Sequence, residues 1–141
     1  MIIGETYETF SSDDFTHHLF LSEGPNGKIY KMVIFTLMEN GFYNLGFGDV
    51  LDGKINDKAF SNNQDLVKVM NTIGELVYEF TRRFPSRVVY VEPVDAKRSF
   101  LYHAIFKRKL EQITPVFSVE GSMDKKDWEP FDPLKKNILR S

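Results

Sequence analysis

The fold is decided by residues 64–85, which read QDLVKVMNTIGELVYEFTRRFP. Eight apolar side chains in this stretch recur at helical spacing and fall within an arc of roughly 120°: Leu66, Val69, Met70, Ile73, Leu76, Val77, Phe80 and Phe84. The stretch therefore predicts an amphipathic helix that buries one face. Asn62 or Asn63 is expected to cap its beginning. Pro85 is expected to end it, because the residue before a proline disfavours helical geometry.

Antiparallel strands are predicted on the N-terminal side of this helix. Apolar runs and alternations mark residues 15–22, 28–38 and 42–50 as strands. Asn40-Gly41 lies between two of them and predicts a type I′ hairpin turn, which needs positive φ at both central residues. Asp52-Gly53 marks a further turn. The N-terminal half is thus expected to form a meander of strands.

On the C-terminal side, the pattern predicts a strand over 87–92, a second helix over 96–109 and a strand over 113–121. The second helix would be capped by Asp95 and turn Phe100, Leu101, Ala104 and Ile105 inward. The whole chain, 1–141, is expected to be a single α+β domain. Its sheet would be mainly antiparallel, with about six or seven strands and two helices in the order β-β-β-β-α-β-α-β.

Composition excludes several classes of protein and site. Apolar residues make up 42% of the 141 and aromatic residues 14%, so the chain is expected to fold around a core. Cysteine is absent, which excludes disulfides and thiolate metal sites. The beginning of the chain lacks a signal peptide pattern and no apolar run approaches a membrane span. We therefore expect a cytoplasmic protein that does not bind membranes.

No catalytic, cofactor or metal site is predicted from spacing alone. The sequence has no Gly-x-Ser-x-Gly motif and no glycine-rich loop of a nucleotide-binding type. His17 and His18 are adjacent in a predicted strand, so they point to opposite faces and cannot chelate one ion together. We therefore predict no metal and no cofactor, and the interpretation leans away from an enzyme.

The formal net charge of −2 hides an uneven distribution. Residues 1–65 contain 4 basic and 10 acidic side chains, whereas residues 82–109 contain 8 basic and 2 acidic ones. One possibility is that the two regions neutralise each other through surface pairs, which contribute little to stability. The other is a basic surface that recognises an anionic ligand, a nucleic acid or an acidic protein.

The second predicted helix is the candidate anion-binding segment. At 100° per residue, Arg98, Tyr102 and Lys109 lie within about 40° of one another, and Lys97 stands in the first turn, where unpaired amides favour anions. The alternative is a solvated basic helix face. Phe106 points away from the apolar stripe, and together with an exposed Phe131 it leaves a homodimer as a further possibility.

Five short motifs stand out along the chain. They are SEGPNGKI at 22–29, NGFYNLGFGD at 40–49, SNN at 61–63, LY at 101–102 and WEPF at 128–131. In these motifs the sequence resembles a family of short bacterial proteins of unknown function, over nearly its whole length. This resemblance implies no established activity. It leaves a non-enzymatic binding or interaction module as the favoured interpretation.

A fainter likeness is to the C-terminal half of acetyl-CoA-dependent N-acyltransferases. The predicted element order is similar, and residues 91–102, VEPVDAKRSFLY, look like their strand–turn–helix segment. The likeness implies that Tyr102 would protonate the departing thiolate as a general acid. However, these enzymes bind pyrophosphate with a glycine-rich loop, and residues 61–65 read SNNQD here. Without glycine, backbone amides do not easily converge on a phosphate.

Overall fold

The computed structural model describes residues 4–56, 63–92, 103, 120–122, 129–130 and 138–140. Among these residues the chain forms one long helix, α1 (Leu66–Arg83), and nine strands. The strands are β1 (Phe10–Ser11), β2 (His17–Gly24), β3 (Gly27–Leu37), β4 (Tyr43–Leu51), β5 (Lys54–Asn56), β6 (Val89–Val91), β7 (Glu120–Ser122), β8 (Glu129–Pro130) and β9 (Ile138–Arg140). They join in a single sheet in the order β1-β2-β3-β4-β6-β9-β7-β8, with β5 also paired to β4.

The predicted α+β class is confirmed, but the predicted count of six or seven strands is wrong. Several of the nine strands have only two or three residues, including β1, β5 and β8. Segments this short have no measurable alternation of apolar and polar residues, so sequence periodicity does not detect them.

The second predicted helix, 96–109, lies outside the described residues except for His103, which is helical and half-buried. The predicted strand over 113–121 overlaps β7 only at its end. A second helix therefore stays a prediction. No helix in the described part of the chain combines the length and apolar character needed to cross a membrane.

Strands β2, β3 and β4 form an antiparallel meander that supplies one side of the core. Because side chains alternate between the faces of a strand, one face holds Phe20, Val33, Phe35, Leu45 and Phe47, all buried. The apolar side of α1 packs on this face. Phe80 of α1 stacks on Phe35 with ring centroids 4.1 Å apart, and neither ring is more than 2% exposed.

Helix α1 connects two parallel strands that are neighbours in the sheet. β6 pairs in parallel with β4, through Tyr43↔Val89 and Asn44↔Tyr90. A parallel pair requires a crossover, and α1 supplies it. The other pairs recorded in this sheet are antiparallel. The two ends of α1 therefore lie at opposite ends of β4.

The two hairpin turns that flank β4 differ in geometry. In the β3–β4 turn only Gly41 has positive φ, and its N–H donates to Met38 O, so the predicted type I′ turn at Asn40-Gly41 is wrong. Asn40 instead accepts the Phe42 N–H on its side-chain oxygen. The β4–β5 turn has positive φ at both Asp52 and Gly53, as a type I′ turn requires.

Helix α1 was expected to begin with an asparagine cap, and this is wrong. Asp65 occupies the N-cap position and its side chain makes no capping hydrogen bond. Leu66, predicted to be buried, is 36% exposed, whereas Asn71, which is not part of the apolar stripe, is 2% exposed. The reason is that the N-terminal segment packs beside the first two turns and covers Asn71, whose Nδ2 donates to Glu5 O.

Candidate functional site

The predicted anion-binding residues Lys97, Arg98, Tyr102 and Lys109 lie outside the described residues, as do Phe106 and Phe131. The described part of the basic segment is Arg82, Arg83 and Arg87. These three residues gather at the C-terminal end of α1, which we call the basic end.

At the basic end, two of the three guanidinium groups share one carboxylate within the described residues. Arg82 Nη2 lies 2.7 Å from Glu79 Oε2, and Arg83 Nε lies 3.8 Å from the same oxygen. The hydrogen bond from Arg82 lowers the pKa of Glu79 and raises the pKa of Arg82. No described carboxylate forms an ion pair with Arg87. The basic end therefore has an excess of positive charge.

Aromatic rings hold two of these arginines in place. The Arg87 guanidinium lies 3.7 Å from the ring centroid of Phe84 and 4.7 Å from that of Tyr43. The Arg83 guanidinium lies 4.3 Å from the ring centroid of Phe15. A cation above an aromatic ring is attracted by its quadrupole, and the N–H donors at its edge stay available. The arrangement orients the groups without neutralising them.

The opposite end of α1 is built around the carboxylate of Asp65. Its Oδ2 accepts hydrogen bonds from Tyr7 Oη at 2.5 Å and from Ser22 Oγ at 2.6 Å. Burial and the bond to Asp65 raise the pKa of Tyr7, so its hydroxyl remains a donor at neutral pH. These contacts join the N-terminal segment, β2 and the helix start. We call the three residues the Asp65 cluster.

Asn63 fastens the β2–β3 hairpin to the same end of α1. Its Oδ1 accepts the Asn26 N–H at 2.7 Å and its Nδ2 donates to Gly27 O at 2.8 Å. The Asn63 backbone lies so close to Gly24 that a Cβ at Gly24 would meet Asn63 O at 2.0 Å. Two of the sequence motifs, SEGPNGKI and SNN, therefore contact each other here. The contact is possible because Gly24 has no side chain.

An open cleft of about 740 Å³ lies beside the Asp65 cluster, between the N-terminal segment and the first two turns of α1. Among the described residues, its lining includes Glu5, Glu23 and Asp65, and a single lysine, Lys68, whose Nζ lies 4.3 Å from the ring centroid of Tyr7. This described lining is acidic, with three carboxylates and one ammonium. Asn71 is the one fully buried residue among these described lining residues.

Asn71 leaves a polar atom unsatisfied at the inner end of the cleft. Its Nδ2 donates to Glu5 O at 3.1 Å, but its Oδ1 is buried and accepts no hydrogen bond among the described residues. A buried acceptor without a partner costs about 1–3 kcal/mol. The amide cannot simply be reversed, because its oxygen would then face the Glu5 carbonyl.

A buried ion pair lies on the face of the sheet that α1 covers. Lys31 on β3 is opposite Asp49 on β4, and Lys31 Nζ lies 2.7 Å from Asp49 Oδ1. Both side chains are at most 5% exposed. Removing one partner of such a pair leaves a buried charge, which is strongly destabilising. Since Asp49 ends the NGFYNLGFGD motif, the role of this motif residue is to hold β3 and β4 together.

The prediction that His17 and His18 point to opposite faces is confirmed, since His17 is exposed and His18 is 1% exposed. Both ring nitrogens of His18 are hydrogen bonded. Nε2 lies 2.8 Å from Phe15 O, which can only accept, so Nδ1 accepts from Ser11 Oγ at 2.7 Å. Burial lowers the pKa of His18. Both nitrogens of this buried ring are therefore satisfied by contacts within the fold.

The loop that holds Phe15 is ordered by Asp14. The Asp14 carboxylate accepts from the Thr16 hydroxyl, the Ser12 hydroxyl and the Thr16 N–H, which together lower its pKa to about 2. Phe15 itself has φ of 62°, rare for a bulky residue. Its ring is 9% exposed and meets the edge of the His18 ring at 4.3 Å. Burial of the Phe15 ring compensates for its unfavourable backbone conformation.

Sequence reasoning missed the cleft because its parts are far apart in the chain. Tyr7, Glu23 and Asp65 are separated by up to 58 positions, and no periodic pattern links them. The helical pattern carried no signal either, because at 100° per residue Asn71 lies on the side of α1 away from the apolar stripe and is predicted to be exposed.

Comparison with known proteins identifies a family but no activity. No curated protein and no solved structure matches this chain. A family of unknown function, DUF6934, matches residues 4–138. Because this match spans nearly the full length, the chain belongs to the DUF6934 family.

Proposed function

We propose that this protein is a non-enzymatic binding module that recognises an anionic partner through the basic end of α1 and the basic segment that follows it. The observation that supports this most is the charge at the basic end, where Arg82, Arg83 and Arg87 have a single described carboxylate among them. The predicted anion-binding residues Lys97, Arg98, Tyr102 and Lys109 follow in sequence and extend the same surface in this proposal.

Because Arg87 and Arg83 stack on aromatic rings, they are better suited to bind a ligand than arginines that move freely in solvent. A free arginine loses side-chain entropy when it binds, whereas a guanidinium already held over a ring loses less. Its edge presents parallel N–H donors that match a phosphate or a carboxylate. Both nucleic acids and acidic protein segments offer such groups, so the shared chemistry is a string of anionic oxygens.

The test is fluorescence anisotropy with two labelled probes, a single-stranded oligothymidine and a polyglutamate peptide, each at two salt concentrations. We expect at least one probe to bind, with an affinity that falls as salt rises. Replacing Arg82 and Arg87 by Glu, or Arg98 and Lys109 by Glu, should weaken binding about tenfold or more, since each reversal removes an attraction and adds a repulsion.

The matched control reverses two exposed lysines outside the basic segment, Lys28→Glu and Lys54→Glu, which change the net charge equally. This control separates a local surface from the effect of overall charge. Equal losses in the control and in the arginine variants would contradict the proposal, and so would the absence of binding to both probes at low salt.

A second candidate is an acyltransferase-like enzyme that uses acetyl-CoA, with Tyr102 as general acid. The observation in its favour is that α1 joins the parallel neighbours β4 and β6, and the amides of residues 66–68 precede the first helical bond, Val69 N–H to Asp65 O. Unpaired amides at a helix start attract phosphates. The Asp65 carboxylate beside them opposes this, because it repels an anion.

Isothermal titration with acetyl-CoA separates the two candidates. The binding module predicts no heat at millimolar acetyl-CoA, and binding by the enzyme would give a saturable heat. If heat is seen, Asp65→Asn should strengthen the binding by removing the repulsion. Tyr102→Phe would then abolish acetyl transfer while leaving the binding heat unchanged.

A further inference from the structure

The cleft at the N-terminal end of α1 has the chemistry of a ligand site, independent of the basic end. Its inner end holds an acceptor that the described residues leave unpaired, Asn71 Oδ1, in a side chain that is 2% exposed. Such an atom needs a donor. Because the atom itself has almost no exposed surface, a donor in the cleft reaches it only when the lining moves aside, and it would then form a hydrogen bond shielded from water.

The charges around the cleft specify which kind of donor fits. Glu5 and Glu23 are exposed at the cleft, and Asp65 is half-buried in its wall. Both side-chain hydrogen bonds of Asp65 go to Oδ2, so among the described residues its Oδ1 accepts none. Lys68 offsets only one of the three carboxylates. A cationic donor is therefore favoured over a neutral one, and an anion is repelled.

The rim adds an apolar surface to this acidic lining. Leu66 is 36% exposed and Val67 is 53% exposed, and both line the cleft. A metal ion gains nothing from aliphatic side chains, whereas an organic cation with a carbon chain covers them.

We propose that this cleft binds a protonated aliphatic amine. The ammonium group donates to Asn71 Oδ1, the carboxylates of Glu5, Glu23 and Asp65 attract it, and its carbon chain lies on Leu66 and Val67. The ligand class is thus a primary alkylamine.

The test is a titration of the ¹⁵N-labelled full chain, followed by two-dimensional NMR, with n-butylamine hydrochloride as the probe. Potassium chloride, n-butanol and sodium butyrate are titrated separately under the same conditions. We expect saturable shifts at the backbone amides of residues 5, 23 and 65–68 and at the side-chain amide of Asn71. n-Butanol should bind about tenfold more weakly or worse, because it lacks the charge.

Two variants test the assignment within the cleft. Asn71→Leu removes the acceptor at similar size and should weaken n-butylamine binding about tenfold. Glu23→Gln changes an exposed carboxylate without affecting the core and should weaken it severalfold. Glu39→Gln, at the β3–β4 turn outside the cleft, is the matched control and should leave binding unchanged.

The proposal is overturned if n-butylamine causes no saturable shifts at tens of millimolar, or if the shifts map outside the cleft. It is also overturned if potassium chloride or n-butanol gives the same shifts, or if Glu23→Gln and Glu39→Gln weaken binding equally. None of these results bears on the basic end, whose probes are anions.

Discussion

The two ends of helix α1 are built from the same 18-residue element but in opposite ways. The C-terminal end is held by aromatic packing, with Phe80 fully buried between Phe35, Tyr43 and Phe84. The Arg87 guanidinium stacks on two of these rings, Tyr43 and Phe84. The N-terminal end is held by polar contacts from Tyr7, Ser22 and Asn63, and it borders an acidic cleft. The C-terminal end of α1 thus combines apolar packing with positive charge, and the N-terminal end combines hydrogen bonds with negative charge.

This difference indicates where the molecule tolerates change. Apolar packing has no direction, so arginines can be arranged around it without disturbing it. A hydrogen-bonded cluster is directional, and each member fixes the position of the next. We therefore expect substitutions at the C-terminal end to separate cleanly into stability effects in the core and binding effects on the surface. Substitutions at the N-terminal end should affect both.

The largest expected effect tests the packing of the C-terminal end. Phe80→Ala removes a ring that is 0% exposed and stacked on Phe35, and should lower the free energy of unfolding by about 3–5 kcal/mol. Urea denaturation measures it. Val67→Ala in the same helix, where the side chain is 53% exposed, should change stability by no more than about 0.5 kcal/mol. Similar losses of stability in the two variants would refute the contrast between the buried and the exposed side of α1.

A smaller loss is expected at the N-terminal end from Gly24→Ala. The new Cβ would lie 2.0 Å from the backbone oxygen of Asn63, so the hairpin has to move away from α1. Overpacking of this kind costs about 1–3 kcal/mol. The control is Gly46→Ala, also in a strand, where the nearest atoms to a Cβ lie at 4.0 Å. Chemical denaturation of the pair should show a loss for Gly24→Ala only, and equal midpoints would count against the close contact with Asn63.

A pH effect is expected from His18, which lies near the basic end beneath Phe15. Burial holds its pKa below the usual 6.5, so the unfolded chain binds a proton more readily than the folded one. The stability that depends on neutral His18 is complete above about pH 6.5 and is lost as pH falls through the lowered pKa. His18→Gln should therefore reduce the loss of stability between pH 7 and pH 5, while His17→Gln should not. An unchanged pH dependence in His18→Gln would disprove this role.

The smallest effect is expected from Arg82→Ala. This guanidinium is exposed and pairs with Glu79 within one turn, so its removal should leave the urea midpoint unchanged within error. Anion binding, by contrast, should weaken in the same variant. A variant that lost stability but kept full binding would show that Arg82 belongs to the fold and not to the recognition surface.

The sequence predicted those parts of the fold that depend on long periodic segments. The helical spacing of Val69, Ile73 and Phe80 identified α1, and apolar runs identified β2, β3 and β4. The short strands carried no periodic signal. Turn geometry also could not be predicted, because Asn40-Gly41 and Asp52-Gly53 have equivalent compositions. Loop length decides which of the two adopts the type I′ geometry.

The candidate site was predictable only where charge accumulates along the chain. The basic segment could be counted from the sequence, but the stacking of Arg87 on Phe84 and Tyr43 depends on the tertiary structure. The acidic cleft combines residues from the N-terminal segment, β2 and α1. Asn63 was expected to cap the helix, and its role in fastening the hairpin follows from the position of the hairpin, which only the tertiary structure defines.

One measurement tests most directly the claim that the two ends of α1 recognise opposite charges. A single ¹⁵N-labelled sample is titrated first with n-butylamine hydrochloride and then with a single-stranded oligothymidine, and the shifted amides are mapped by NMR. We predict two separate sets, residues 5, 23 and 65–68 for the amine and residues 82–87 for the oligonucleotide. Shifts from both probes at the same end of α1 would contradict the account.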